Sequence, residues 1–202
     1  KIWAAVASVG VALLLTIAKA VAYFATGSVS LLSTLMDSLL DFAASLINLV
    51  AIFQAAAPAD REHRFGHGKA EPLAGLGQAA FVAGSSVFIL VQAVDRLLHP
   101  APLANEALGI GVMLLSIVVT LGLVFFQRRV IRATGSVAIG ADALHYKSDL
   151  LVNLAVIAAL IASGTFGWAL ADPLLAGAVA LYILWSAWEI FASSVNLLMD
   201  RE

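Results

Sequence analysis

Met36-Asp37-Ser38-Leu39-Leu40-Asp41-Phe42 stands at the centre of a long apolar run covering residues 29–55. About 20 mostly apolar residues suffice for a helix to cross a hydrocarbon core of about 30 Å. The run is therefore long enough to span a membrane, yet it carries two carboxylates near its midpoint. An aspartate in that position opposes insertion by roughly 2.5 to 3.5 kcal/mol. Charges kept at such a cost normally mark an ion path, a proton relay or a binding site.

Five more stretches of the same kind flank this one. The six read as helices over about 2–25, 29–55, 72–97, 105–127, 138–163 and 171–198. Between them lie Thr26-Gly27-Ser28, a polar segment with Pro58, then Pro100 and Pro102, a run of arginines, and Gly164 to Gly167; Pro173 opens the last helix. Composition agrees: 62% of the 202 residues are hydrophobic and 12% are charged, with a mean hydropathy of +0.99. Soluble domains carry about twice that charged fraction, so a water-soluble enzyme domain and a disordered tail are excluded. The net charge of -2 provides no basic footprint for nucleic acid. Without cysteine there is no disulfide scaffold, thiolate metal site or thiol catalysis. The first segment is too long for a cleavable signal peptide, and continuous apolar runs do not make a barrel. The fold class is an all-α membrane protein, a bundle of six transmembrane helices.

Orientation follows from the bases. Lys1, Arg61, Arg64, Lys69, Arg128, Arg129, Arg132 and Arg201 fall on one side and Arg96 alone on the other, with Lys19 and Lys147 inside spans. The positive-inside rule then puts both termini in the cytoplasm. Gly75, Gly77 and Gly84 in the third helix would permit close helix approach, within the chain or between chains. Glycine is also simply common in membrane helices.

The intramembrane charges come in pairs four residues apart: Asp37 and Asp41 in helix two, His145 and Asp149 in helix five. That spacing projects two side chains from one helix face, about 6 Å apart. The two helices run antiparallel, so facing pairs would place Asp37 level with Asp149 and Asp41 level with His145. Three carboxylates and an imidazole make a tetrahedral site suited to a divalent first-row metal, and the lack of Cys disfavours Cu(I). Ser38, Ser45 and Asn48 on helix two extend the polar stripe, as do Asp142, Ser148 and Asn153 on helix five. A wet track to the site and satisfied helix–helix hydrogen bonds both account for this stripe. For the charged pairs the plainer alternative is internal ion pairing with Lys19 or Lys147. A second cluster, Asp60, His63 and His67, lies in the loop after helix two, where Gly66 and Gly68 would let the chain fold back. Its residue types suit a surface divalent site, or equally a solvated loop near lipid headgroups.

These residues resemble the cation diffusion facilitator family, in its bacterial zinc and ferrous-iron efflux branch. The matching segments are Thr26-Gly27-Ser28, Asp37-Ser38-Leu39-Leu40-Asp41, His63-Arg64-Phe65-Gly66-His67-Gly68-Lys69-Ala70-Glu71-Pro72-Leu73-Ala74 and Ala141-Asp142-Ala143-Leu144-His145-Tyr146-Lys147-Ser148-Asp149. The resemblance implies a homodimer in the bacterial inner membrane that exchanges Zn2+, and also Cd2+ or Fe2+, for protons. It puts the transport site on Asp37, Asp41, His145 and Asp149, and a cytoplasmic-loop site on Asp60, His63 and His67. It also implies a charge interlock at the dimer contact, for which Lys69 and Asp200 are the matching positions. Family members generally continue into a cytosolic C-terminal domain. This chain stops at Glu202 and starts at Lys1, which reads as a truncated form comprising one transmembrane domain.

Metal ions here are cargo, and no catalytic cofactor is expected. The expected mechanism is alternating access, with protons reaching His145, Asp41 and Asp149 to displace the metal. Histidine suits that role through its ordinary pKa of about 6.5. A passive divalent-cation channel could use the same acids. An intramembrane hydrolase fits poorly, because Asp37 and Asp41 share one helix and neither His-Glu-x-x-His nor Gly-x-Ser-x-Gly is present.

Overall fold

A computed structural model of the chain describes residues 1–27, 29–99, 107–166, 168 and 170–200. Six helices follow one another: α1 (Ile2–Thr26), α2 (Val29–Ala55), α3 (Ala70–Leu98), α4 (Ala107–Thr134), α5 (Val137–Phe166) and α6 (Ala171–Leu198). Ser28, Pro100, Pro102, Gly167 and Arg201, used above as punctuation or orientation signals, lie outside the described residues. So do positions 105 and 106, the expected start of the fourth helix.

Two boundaries differ from expectation in an instructive way. Arg128, Arg129 and Arg132 do not form a loop but continue α4 to Thr134. Arginine is a good helix former, and the chain turns only at Gly135, whose φ of 61° suits a residue without a Cβ. At the start of α3, Pro72 sits inside the first turn, where its missing N–H would have had no helical partner anyway.

Among the described residues, five helices are long and apolar enough to cross a membrane: Ile2–Ala25, Thr34–Ala55, Ala70–Leu98, Gly111–Thr134 and Ala171–Leu198. The fifth helix, expected as a sixth span, is long enough to cross at 30 residues, with its charges gathered in its first half. Asp142, His145, Lys147 and Asp149 interrupt it, and the bundle shields this stretch: Ala141 to Tyr146 are all buried. Elsewhere the exposed positions are apolar in long series, such as Leu13, Ile17, Val21 and Phe24 of α1. That is the pattern of a lipid-facing surface.

The most extensive contact joins α3 to α6, followed by α1 with α2 and α5 with α6. Small residues allow the approach. A Cβ added at Gly75 would stand 3.0 Å from Ser194 Oγ and 3.1 Å from a Val137 methyl, so this glycine belongs to a contact within the chain. Gly77 and Gly84 instead face open space. One apolar core, of Ala4, Ala5, Ile52, Ala138 and Ile139, lies near the end that carries the 56–69 loop. Another, of Val82, Leu144, Ile183 and Ala187, joins α3, α5 and α6 beside the charged pairs.

Candidate metal centre

Helix α5 and helix α2 touch over a short stretch only, and that stretch brings the charged pairs together. His145 Nε2 lies 3.0 Å from Asp41 Oδ1 and 3.8 Å from Asp149 Oδ2. Ligand atoms of Asp41, His145 and Asp149 all fall within 4.8 Å of one another. The imidazole is 5% exposed, and its Nε2 lacks a well-aligned hydrogen-bond partner. A buried ring nitrogen left in that way is poised to give its lone pair to a cation. Phe81 of α3 meets the ring edge-on, with centroids 5.8 Å apart.

Asp37, the expected fourth member, lines the same cavity but stays outside this cluster. It stands one turn from Asp41 and is exposed. Three carboxylates around one imidazole repel each other, and the one at the open mouth keeps its water at least cost. Asp41 and His145 do meet at the level expected from the antiparallel geometry. The lysines do not close ion pairs with these acids. Lys19 donates to Ser38 Oγ at 2.5 Å, and Lys147 donates to the Tyr182 hydroxyl and lies 4.6 Å from that ring's centre.

The cluster opens into a cavity of about 600 Å³ that extends past Gly84, Ser85, Phe88 and Gln92 toward the Arg96 end of α3. A larger cavity of about 1480 Å³ enters from the opposite end, between the 63–69 segment, α2 and α3, and reaches Gln78 and Phe81. Phe81 lines both. Beside the cluster, toward the loop end, lies a buried polar web that local spacing did not reveal. Asp142, fully buried, accepts hydrogen bonds from Ser8 Oγ at 2.5 Å, Gln127 Nε2 at 2.7 Å and, more weakly, Gln78 Nε2 at 3.4 Å. Tyr146 donates to the Ser8 carbonyl at 3.0 Å and shares a 2.8 Å hydrogen bond with Ser45. Five helices are thereby tied together. Asp142 and Ser45 were legible as parts of the polar stripe; Ser8 lies within one apolar run and Gln127 closes another beside Arg128, and no spacing marks them as partners.

The loop cluster also assembles. His63 Nδ1 lies 3.2 Å and His67 Nε2 3.4 Å from opposite oxygens of Asp60, and the two rings stand 4.4 Å apart. Gly66, at φ 80°, makes the turn that folds His67 back. His67 Nδ1 is buried without a partner. The backbone N–H groups of His63 and Glu62 donate to Asp60 Oδ1 at 2.6 and 2.9 Å, and the former chiefly holds this carboxyl below the usual carboxylate range. Lys69 pairs with Asp200 Oδ2 at 2.8 Å within one chain and also donates to the Leu198 carbonyl at 3.1 Å.

A family profile described as the cation efflux transmembrane domain matches residues 5–199. The cation-efflux pump FieF of Shewanella oneidensis is 48% identical over 196 residues, which are 97% of this chain and 66% of that protein. FieF of Salmonella arizonae is 46% identical over 198 residues, again 66% of its length, and FieF of Klebsiella pneumoniae gives the same identity and coverage. The chain thus spans just under two thirds of the relatives it matches. The helices, the acidic centre and the profile agree: the chain belongs to the cation efflux family of transporters, and not to a family of enzymes.

Proposed function

We propose that this chain exports divalent metal cations from the cytoplasm in exchange for protons, by alternating access around one site formed by Asp37, Asp41, His145 and Asp149. Zn2+ is the cargo we favour, with Cd2+ and Fe2+ as further cargo, since an N/O donor set without thiolate suits borderline ions. The observation that carries the reading is the buried Asp41–His145–Asp149 cluster at the end of a cavity, with Phe81 between it and the second cavity. With the loop end cytoplasmic, as the clustered bases favour, the described arrangement corresponds to the outward-open state. Asp37 is the group that would complete the site when the outer cavity narrows.

Protons arriving from outside occupy His145, Asp41 and Asp149, ligand capacity falls, and the metal leaves. Rocking of helices around the midplane site then re-exposes it to the cytoplasm. Asp60, His63 and His67 bind the same class of ion at the cytoplasmic face. Residues 1–202 form one membrane domain of a homodimer in the bacterial inner membrane, and Lys69 with Asp200 strengthens the base of α3 and α6 at the dimer contact. The test is metal-driven proton flux in proteoliposomes: Asp41→Ala and His145→Ala abolish it while the purified proteins remain folded. Persistent exchange in both variants refutes the site. Flux that ignores an imposed pH gradient refutes exchange in favour of a passive channel.

A further inference from the structure

Among the described residues that line the metal-centre cavity, one is a lysine and none an arginine: Lys19 of α1. The cavity it shares with Asp37, Asp41 and Asp149 is the one His145 also lines. Its ammonium is half-buried and held by the Ser38 hydroxyl at 2.5 Å. Ser38 is itself buried and lies between the two aspartates of α2. The Thr16 hydroxyl, three residues earlier on α1, shares its proton between the Ala12 carbonyl of its own helix at 2.8 Å and the Ser38 carbonyl at 3.1 Å. Two contacts therefore fix α1 against the metal-bearing turn of α2, and they fix the ammonium in place without an aspartate having to hold it. Lys147 makes the contrast. It lies between His145 and Asp149 in sequence, yet its side chain goes to Tyr182 on α6.

An ammonium has three donors, and one hydroxyl does not offset the removal of a lysine from water. Water in the cavity and the field of the three carboxylates supply the rest. The charges then balance. Three aspartates and a neutral histidine carry -3, Lys19 makes this -2, and a divalent ion brings the loaded cavity to zero. Without Lys19 the loaded cavity would keep a charge of -1 inside an apolar barrier, where a net charge is costly.

We propose that Lys19 is a tethered counter-cation of the metal centre, which neutralises the loaded site and weakens its hold on the divalent ion enough for release. This rests on Asp41, His145 and Asp149 being the transport site. A helix tether alone would have no such effect on affinity: its loss would loosen the site and weaken binding.

The experiment is Zn2+ titration of the purified chain in detergent micelles against a competing fluorescent chelator. His63→Ala/His67→Ala serves as background, so that the loop does not contribute. Lys19→Met tightens Zn2+ binding by about tenfold or more, as expected for removing one like charge from a partly hydrated site, whereas Lys19→Arg keeps it within about threefold because the charge remains. Unchanged or weaker binding by Lys19→Met overturns the proposal. Lys19→Gln, which keeps a donor for Ser38, provides a second measure through thermal unfolding. Destabilisation that saturating Zn2+ removes supports the counter-cation; an equal loss with and without Zn2+ overturns it and leaves a packing tether. His145→Ala separates the two readings. If it eliminates the remaining binding while Lys19→Met has no effect, only the role of Lys19 falls. If it leaves binding intact, the site itself is wrong.

Discussion

Gln127→Leu is a sharp probe of the buried web, because its cost can be worked out bond by bond. The Gln127 amide nitrogen donates to Asp142 Oδ2 at 2.7 Å and to Ser8 Oγ at 2.9 Å, and the side chain is fully buried. Loss of a hydrogen bond to a carboxylate removes about 1.5–3 kcal/mol, and loss of a neutral one about 1 kcal/mol. Against this, Gln127 Oε1 has no partner, so replacing the amide also relieves a buried orphan of about 1 kcal/mol. Leucine is of similar size, so little cavity is created. The net expectation is a destabilisation of about 2 kcal/mol. Equilibrium unfolding in mixed micelles, read by circular dichroism, measures it. Asp142→Asn provides the second arm of a double-mutant cycle, since it keeps shape while weakening the acceptor. Coupling of about 1 kcal/mol or more between the two changes is expected for groups in direct contact. A loss below about 0.5 kcal/mol, or additivity within that margin, would refute the assignment of Gln127 as the main donor to Asp142.

Asp37→His shifts preference toward zinc and cadmium over iron, because an imidazole is a softer donor than a carboxylate; identical competition curves across the three metals would count against Asp37 as a ligand. Replacing His63 and His67 together removes surface metal binding but leaves part of the transport, and complete loss of flux would move the essential site to the loop. The Asp60 carboxyl is held below its ordinary pKa chiefly by the His63 backbone N–H. Its contribution to loop order is therefore present above the ordinary carboxylate pKa of about 3.9 and lost as pH falls through the lowered value. Amide exchange at His63 should stay protected at pH 5, and early loss of protection there would contradict the Asp60 turn.

Periodicity made the helices legible, and spacing made the charged cluster legible, for the same reason: both are local. Four-residue intervals forced Asp41 with Asp37, and His145 with Asp149, onto common faces whatever the tertiary structure. The meeting of Asp41 and His145 followed from antiparallel register alone. How far Asp37 stands from the other three was not readable, because repulsion among carboxylates depends on the shape of the cavity mouth. Ser8 and Gln127 are separated by 119 residues, and no local pattern links a serine in one apolar run to a glutamine in another. Phe81 was one aromatic residue among ten phenylalanines; only the two cavities give it a position between them. The arginines that close α4 read as a loop because charge in a membrane protein signals the interface, whereas helix propensity carries the backbone on past it to Gly135.

The gathering of charges in the first half of α5 has a consequence for biogenesis. The half of the helix bearing Asp142, His145, Lys147 and Asp149 enters lipid at a higher cost than its apolar second half. The hydroxyl and amides that satisfy Asp142 stand on α1, α3 and α4, which emerge earlier from the ribosome. The polar half of α5 is thus the part that depends on the packing of the earlier helices, so a chain whose first four helices have mispacked would leave Asp142 without its donors.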